Sequence, residues 1–454
     1  MLVEECHSLG PPALNTMLRL LLLTVIAILM GSPTCAWAAP VEAPITVPQF
    51  REDLDFLRRT LMQSHPDLQF SSDVAALEAA IRALASDTRT PISQDEAWRR
   101  LATLNPLFAD GHLSVGFPDW QTAAIAHLRE GATLFPYEVS LDDDGLHIGA
   151  LLGGAATPLQ GARIIAINGE PADLVTAALM RRMHGETALF RSGLLAQRWW
   201  FYYWKMYGVP PSYRLTMAQG GRTFSIETMG SKELPLLLRD AAAFDRQFHF
   251  AFQPDGSAIL TIDSFAPADR GKFLAFTRDA FARLRQAGTG QLTIDISRNG
   301  GGDDAMWLDG LMPYLATSAY RTGSTYKKRV VEANVERGEV AGQVVTGSIS
   351  TWHTPQLDGD LLFKGKTLVA IGPGTYSSAV LFANVMHDFC FGTLVGHGGA
   401  ARRTQSGGVR RFVLPNSKLV LWVPRFVLAP PVATAPADLL EVQADQSATC
   451  ASRR

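Results

Sequence analysis

The stretch KTLVAIGPGTYSSAVLFANVMHDFCFGTLVG, Lys366–Gly396, contains an apolar run, two adjacent serines, a longer apolar segment and a second apolar run. KTLVAIGP and GTLVG are short and Gly-bounded, as buried strands are, while the segment between them is long enough for a helix. Strand, helix, strand is the βαβ unit, and it implies a largely parallel, covered sheet. The helix is apolar enough to be expected in the interior. Ser377 and Ser378 then stand where a strand ends and a buried helix begins. On this stretch alone N-capping, which serine does well, is the favoured reading. The sharper one is a nucleophile, because a helix N-terminus offers unpaired N–H groups and partial positive charge to a developing oxyanion.

The same grammar extends in both directions from about residue 247 onward. SAILTIDSF (257–265) reads as a strand, and ADRGKFLAFTRDAFARLRQAG (268–288) as a helix with Phe273, Thr277, Ala280 and Leu284 on one side. GQLTIDISR (290–298) is the next strand, followed by Gly300-Gly301-Gly302 and a helix in DAMWLDGLMPYLA. Three glycines let the backbone turn sharply and approach a ligand, so the N–H of Gly300 or Gly301 is a candidate second oxyanion donor. The plain alternative is a flexible βα turn. The tail VRRFVLPNSKLVLWVPRFVLAPP (409–431) returns to strands.

Upstream, residues 47 to 108 read as helices. Phe50, Leu54, Leu57 and Leu61 recur at helical spacing in a segment that stops before Pro66. Residues 71–86 form a second amphipathic pattern, and Ser93 and Glu96 stand in capping-box spacing before a third. LFADGHLSVGFP (107–118) follows, with His112 after an Asp-Gly turn. Along that strand His112 and Ser114 share one face, and Leu113, Val115 and Phe117 the other. Residues 130 to 235 alternate short strands with Gly turns, among them GARIIAINGEP with its Asn-Gly turn. RWWFYYWKMYG (198–208) reads as a packed helix face with Trp200, Trp204 and Tyr207 at helical spacing. A groove lining for apolar peptide side chains is the other reading.

Composition bounds the class. The 454 residues suffice for two or three domains, and 47% hydrophobic with 19% charged residues marks a globular chain. A formal net charge of -2 gives no reason to expect nucleic acid or attraction to an anionic membrane. MLRLLLLTVIAILMGSPTCAWAAP, from Met17, has the n-region, h-region and Ala36-Trp37-Ala38 cleavage pattern of a secretory signal. We therefore expect a leader over 1–38, with Met17 as an alternative start and no membrane span after cleavage. Cleavage leaves Cys390 and Cys450, either as a disulfide, which an oxidising compartment permits, or as two buried thiols. No metal-ligating pattern such as Cys-x-x-Cys is present.

ADGHLSV, DISRNGGG and GTYSSAVLFANVMHD with GTLVG, in that order, resemble the C-terminal-processing (tail-specific) serine peptidase family. The segment around GARIIAINGEPADLV resembles the PDZ-like module found inside members of that family. The likeness implies an α/β multidomain fold: a helical region over 39–125 ending in the DGH motif, a PDZ-like module with a helical aromatic segment over 126–240, and a ClpP/crotonase-like catalytic domain over 241–454. It implies Ser377 as nucleophile, with Ser378 and Gly300 or Gly301 supplying oxyanion N–H groups, no cofactor, and a polypeptide or peptide as substrate. In the best-known branch a lysine after the GTLVG-like strand is the base. Here that segment reads GHGGAARRTQ with Arg402, which stays protonated and cannot accept a proton. The tricorn-core-like branch instead uses the histidine of DGH, which maps to His112, a side chain suited to take and return a proton near neutrality.

The acidic member of the family's site falls in APPVATAPADLLEV, where Asp438 and Glu441 are the nearest carboxylates and neither fits the pattern well. Two alternatives stay open: a hydroxyl or carbonyl orients His112 instead, or activity is reduced. His387 reads as a core residue, and His397 as a weaker second base. The expected function is a secreted serine peptidase, periplasmic or extracellular. The alternative is a non-catalytic peptide-binding protein on a degenerate protease scaffold. A crotonase-like acyl-CoA enzyme would reuse the glycine turns, but the leader and the Ser-His motifs argue against it.

Overall fold

Five strands lie side by side in the order Thr393–Gly396, Lys366–Ile371, Gln291–Asp295, Ala258–Ile262, Phe248–Phe252. The first four are parallel, and Phe248–Phe252 closes one edge antiparallel. Helices Arg270–Ala287, Asp304–Gly310 and Ser378–Asp388 lie in the connections between the parallel strands, as the βαβ reading requires. Leu260, Ile262, Leu292, Ile294, Val369 and Ile371 bury the sheet against them. The longest of these helices shows how local chemistry sets its limits. Asp269 accepts the Lys272 N–H at 2.9 Å to start it. Phe273, Thr277, Ala280, Phe281 and Leu284 form its buried stripe, and Gly288 at φ +64° ends it. The computed structural model describes residues 43–336 and 338–442; the leader expected over 1–38 and Cys450 lie outside them. Cys390 is disulfide-bonded.

The first helix runs Val47–Ser64, opened by a capping box between Thr46 and Gln49, and it buries the four predicted apolar residues. It is fastened to the far end of the chain. The buried Asp53 carboxylate accepts the N–H groups of Asn416 and Ser417 at 2.8 Å each. Strand Ser114–Gly116, just after the DGH motif, pairs antiparallel with Val420–Val423, bringing Ser114 opposite Trp422. Leu113, Val115 and Phe117 are buried, as the alternation predicts. A further antiparallel sheet, Val344–Ser348, Thr325–Arg329, Phe426–Leu428, Gln405–Gly407, holds the segment that follows the parallel sheet.

Residues 137–229 form an antiparallel sheet of strands Tyr137–Asp142, Gly145–Leu151, Arg163–Ile167, Ser212–Gln219 and Arg222–Met229, with helix Ala172–Met180 against it. The predicted Asn-Gly turn has Asn168 at φ +53° and Gly169 at φ +91°, the left-handed pair of a tight hairpin. The aromatic helix Trp199–Tyr207 differs from its expected packing. Trp199 through Tyr203 are all buried, whereas Trp204 is half-buried and Tyr207 is exposed. Its first turns are enclosed on several sides: Trp199 meets Phe135, Trp200 meets Trp120 and Phe201 meets Phe117. The burial is therefore not confined to one stripe. No helix among the described residues is long and apolar enough to cross a membrane.

Candidate active site

Ser377 sits immediately before helix Ser378–Asp388 at φ 56°, ψ -127°, a conformation that side-chain-bearing residues avoid at a cost of about 1–3 kcal/mol. Although it occupies the N-cap position, its hydroxyl makes no capping hydrogen bond. Its own N–H is held by the Gln405 side-chain carbonyl at 3.1 Å. The strained turn leaves no space opposite. A Cβ on Gly301, itself at φ +100°, would lie 2.6 Å from the Ser377 Cβ and 2.9 Å from the Ser378 nitrogen. Only glycine can bring the DISRNGGG turn this close to the serine.

The two oxyanion alternatives are now distinguishable. The Gly301 N–H donates to Asn299 Oδ1 at 2.8 Å, and the Gly301 carbonyl accepts from Phe265. The exposed Gly300 and the Ser378 backbone keep N–H groups without a hydrogen bond among the described residues. The Ser378 side chain faces inward instead. Its hydroxyl donates to Asp304 and accepts the Trp307 indole N–H at 3.0 Å.

His112 reaches this corner from the other end of the sequence. Its ring packs on Tyr376, the residue before the serine, with centroids 4.8 Å apart. The neighbouring Gly111 N–H donates to the Tyr376 hydroxyl at 2.9 Å. Nδ1 of His112 lies 3.0 Å from Ser406 Oγ, and Ser406 Oγ donates to Asp110 Oδ1 at 2.8 Å. Asp110 Oδ1 also accepts the His112 backbone N–H at 2.7 Å. Ser406 follows Gln405, the residue that holds Ser377, so two adjacent pairs of contacts bring residues 112 and 377 to one place. Burial pulls the His112 pKa below the usual imidazole value, against an opposing pull from Asp110. A cleft of about 230 Å³ lies here, lined among others by His112, Gly300, Gly374 and Tyr376.

A second carboxyl group stands behind the site. Glu186 Oε2 accepts the Tyr376 hydroxyl at 3.1 Å, and Oε1 accepts the Arg402 N–H at 3.1 Å. Burial first, and then the nearby Asp110, push its pKa up to about 7 despite those hydrogen bonds. Arg402 does not occupy the place of a base. Its guanidinium donates to the Ala109 carbonyl at 2.8 Å, bracing the turn that carries Asp110.

Asp438 and Glu441 lie elsewhere. The exposed Asp438 carboxylate accepts the Ala435 N–H in its own turn, and the exposed Glu441 lies against Gly399; neither has a hydrogen bond or ion pair to His112. The group beside His112 is the Ser406 hydroxyl, backed by Asp110, because the Gln405–Gly407 strand runs past the DGH turn. His387 bonds Asp388 at 2.9 Å on the buried helix, and His397 is exposed. Sequence reading missed Asp110, Glu186 and Ser406. Asp110 was legible in principle as the residue of the DGH motif itself. No spacing ties Ser406 or Glu186 to residue 112.

A strained serine at the head of a buried helix, with unbonded amide hydrogens next to it and an imidazole packed on the residue before it, is an arrangement that serine-type peptidase chemistry can use. Residues 256–428 match the model of peptidase family S41. Among solved structures, the fold is similar to mature CPAF in complex with lactacystin, with a TM-score of 0.61 and 13% identity over 90% of this chain and 96% of that one. Mature CPAF gives 0.60 and 14% identity over 85% and 91%. The photosystem II D1 C-terminal processing protease gives 0.42 and 13% over 88% and 93%. No curated protein matches the sequence.

Proposed function

We propose that this peptidase cleaves peptide bonds through an acyl-enzyme on Ser377, with His112 as general base and then general acid. With the Nδ1 proton donated to Ser406 Oγ and the Ser406 proton donated to Asp110, Nε2 is the basic nitrogen that takes the Ser377 proton. Ser377 Oγ then bonds to the substrate carbonyl carbon. The N–H groups of Ser378 and Gly300 receive the oxyanion, His112 returns the proton to the leaving amine, and water hydrolyses the ester by the reverse route. Asp438 and Glu441 have no part in this reading. The observation that carries it is the Ser377 hydroxyl, uncommitted to capping in a strained turn, with its neighbours tied to His112 by Tyr376 and Ser406.

The test is hydrolysis of a peptide library, with fluorophosphonate labelling in parallel, by the mature chain and its variants. Ser377→Ala and His112→Ala are each expected to lose on the order of 10⁴–10⁶-fold in kcat. Ser406→Ala is expected to lower kcat more than it changes KM. For the parent enzyme kcat/KM falls on the acid side with an inflection below 6.5, because His112 must be neutral to accept a proton. Near-parental turnover by either Ser377→Ala or His112→Ala removes that residue from the mechanism. We place the enzyme outside the cytoplasm; the sequence leader and the disulfide at Cys390 support that location. N-terminal sequencing of the exported fraction is expected to find chains that begin at Ala39, and a cytoplasmic chain with its leader intact overturns this.

A further inference from the structure

A second cavity, of about 350 Å³, adjoins the catalytic cleft, and the two share His184 and Arg198 in their walls. Trp98, Phe117, Trp120, Tyr202 and Trp422 are among the residues that line it. Its size falls within the roughly 300–1,000 Å³ typical of small-ligand pockets, and its rings suit offset or edge-on contact with another aromatic ring.

The charge of the walls is one-sided. Among the described residues no Asp or Glu lines either cavity, whereas Arg182 and Arg198 line the larger one. Neither guanidinium has a carboxylate within ion-pair distance among the described residues. Arg182 spends two of its donor nitrogens on the Arg99 and Ala178 carbonyls. Arg198 lies 4.6 Å over the Trp120 ring, and its buried Nε makes no hydrogen bond among the described residues. Arg298, in the cleft, is already paired with Asp263. A buried donor left unpaired is costly, and a guanidinium fork matches a carboxylate. The neighbouring His184 adds no positive charge of its own, since burial and Arg198 hold it neutral, with a pKa of about 3.

We propose that this cavity is a specificity pocket of the peptidase: it receives a bulky aromatic side chain of the substrate, and Arg198 binds a carboxylate carried on or next to that residue. The inference rests on the peptidase reading of the adjoining cleft. The carboxylate comes either from a chain terminus or from an adjacent acidic side chain.

Binding is measured on Ser377→Ala mature protein by calorimetry, with four probes: N-acetyl-phenylalanine, its amide, N-acetyl-glutamyl-phenylalanine amide and N-acetyl-alanine. At least one carboxylate-bearing phenylalanine probe is expected to bind tenfold or more tighter than N-acetyl-phenylalanine amide. If N-acetyl-phenylalanine leads, the source is a terminus; if the glutamyl probe leads, it is a side chain. N-acetyl-alanine is expected to bind at least tenfold more weakly than N-acetyl-phenylalanine. In Arg198→Gln the preference for carboxylate is expected to shrink below twofold, and Arg198→Lys restores part of it. Equal binding of amide and acids, or of alanine and phenylalanine, overturns the proposal, and so does no binding at all. That comparison does not depend on the Arg198 variants folding. It also does not depend on catalysis: failure of fluorophosphonate to label Ser377 in the parent enzyme sinks the peptidase mechanism and leaves the binding result standing.

Discussion

A carboxyl group enclosed by Tyr376, the Arg402 amide and Asp110 does not titrate where an exposed glutamate does. Glu186 is shifted from 4.5 to about 7, mostly by burial. Between those values the unfolded chain has released the proton and the native state still holds it. The unfolded state therefore binds fewer protons, and stability falls as pH rises from 4.5 towards 7, with the full loss present above 7. The shift corresponds to a loss on the order of 3 kcal/mol. His112 acts in the opposite direction, since its lowered pKa costs stability as pH falls below 6.5. Subtracting the variant's pH profile from the parent's isolates the glutamate. Glu186→Gln is expected to be relatively more stable at pH 8 than at pH 5 in urea unfolding; an unchanged pH profile contradicts the assignment.

At the scale of elements, the βαβ unit brings its loops together at the strand C-terminal ends, and glycine decides how close they come. Gly301→Ala is expected to lower kcat/KM by at least ~100-fold, because its Cβ must displace Ser377 or the Ser378 amide, the groups expected to act in the transition state. A stability loss of about 1–3 kcal/mol is expected with it, from the positive φ. Peptide kinetics and urea unfolding on the same sample separate the two effects. The elements themselves were legible in the sequence: Gly-bounded apolar runs and periodic Phe and Leu positions gave the sheet, the Arg270–Ala287 helix and the first helix. The burial around the aromatic helix was not legible, since what encloses Trp199–Tyr203 comes from Trp120, Phe117 and Phe135, and periodicity along one segment carries nothing about its neighbours. The catalytic readings of Ser377 and His112 came from the order of the three motifs and the family they resemble, since the local pattern alone favoured N-capping for the serine. The Ser406 hydroxyl beside His112 was not legible, because their proximity comes from the Gln405–Gly407 strand passing the DGH turn rather than from any spacing.

At the scale of the molecule, the two ends of the described chain hold each other. Asp53 of the first helix accepts two backbone amides from the Asn416–Ser417 turn, which leads into Val420–Val423 and so to the strand after His112. Asp53→Ala leaves those donors unpaired in a buried place and is expected to cost about 2–4 kcal/mol in urea unfolding. A drop in kcat larger than the change in KM is expected with it, because the DGH turn loses part of its support. The Ser114–Trp422 pairing joins residues about 300 positions apart. A ribosome has to release residue 422 before the strand after His112 gains its partner, so under the proposed mechanism a shorter nascent chain lacks a braced DGH turn and is not expected to cut itself or its neighbours.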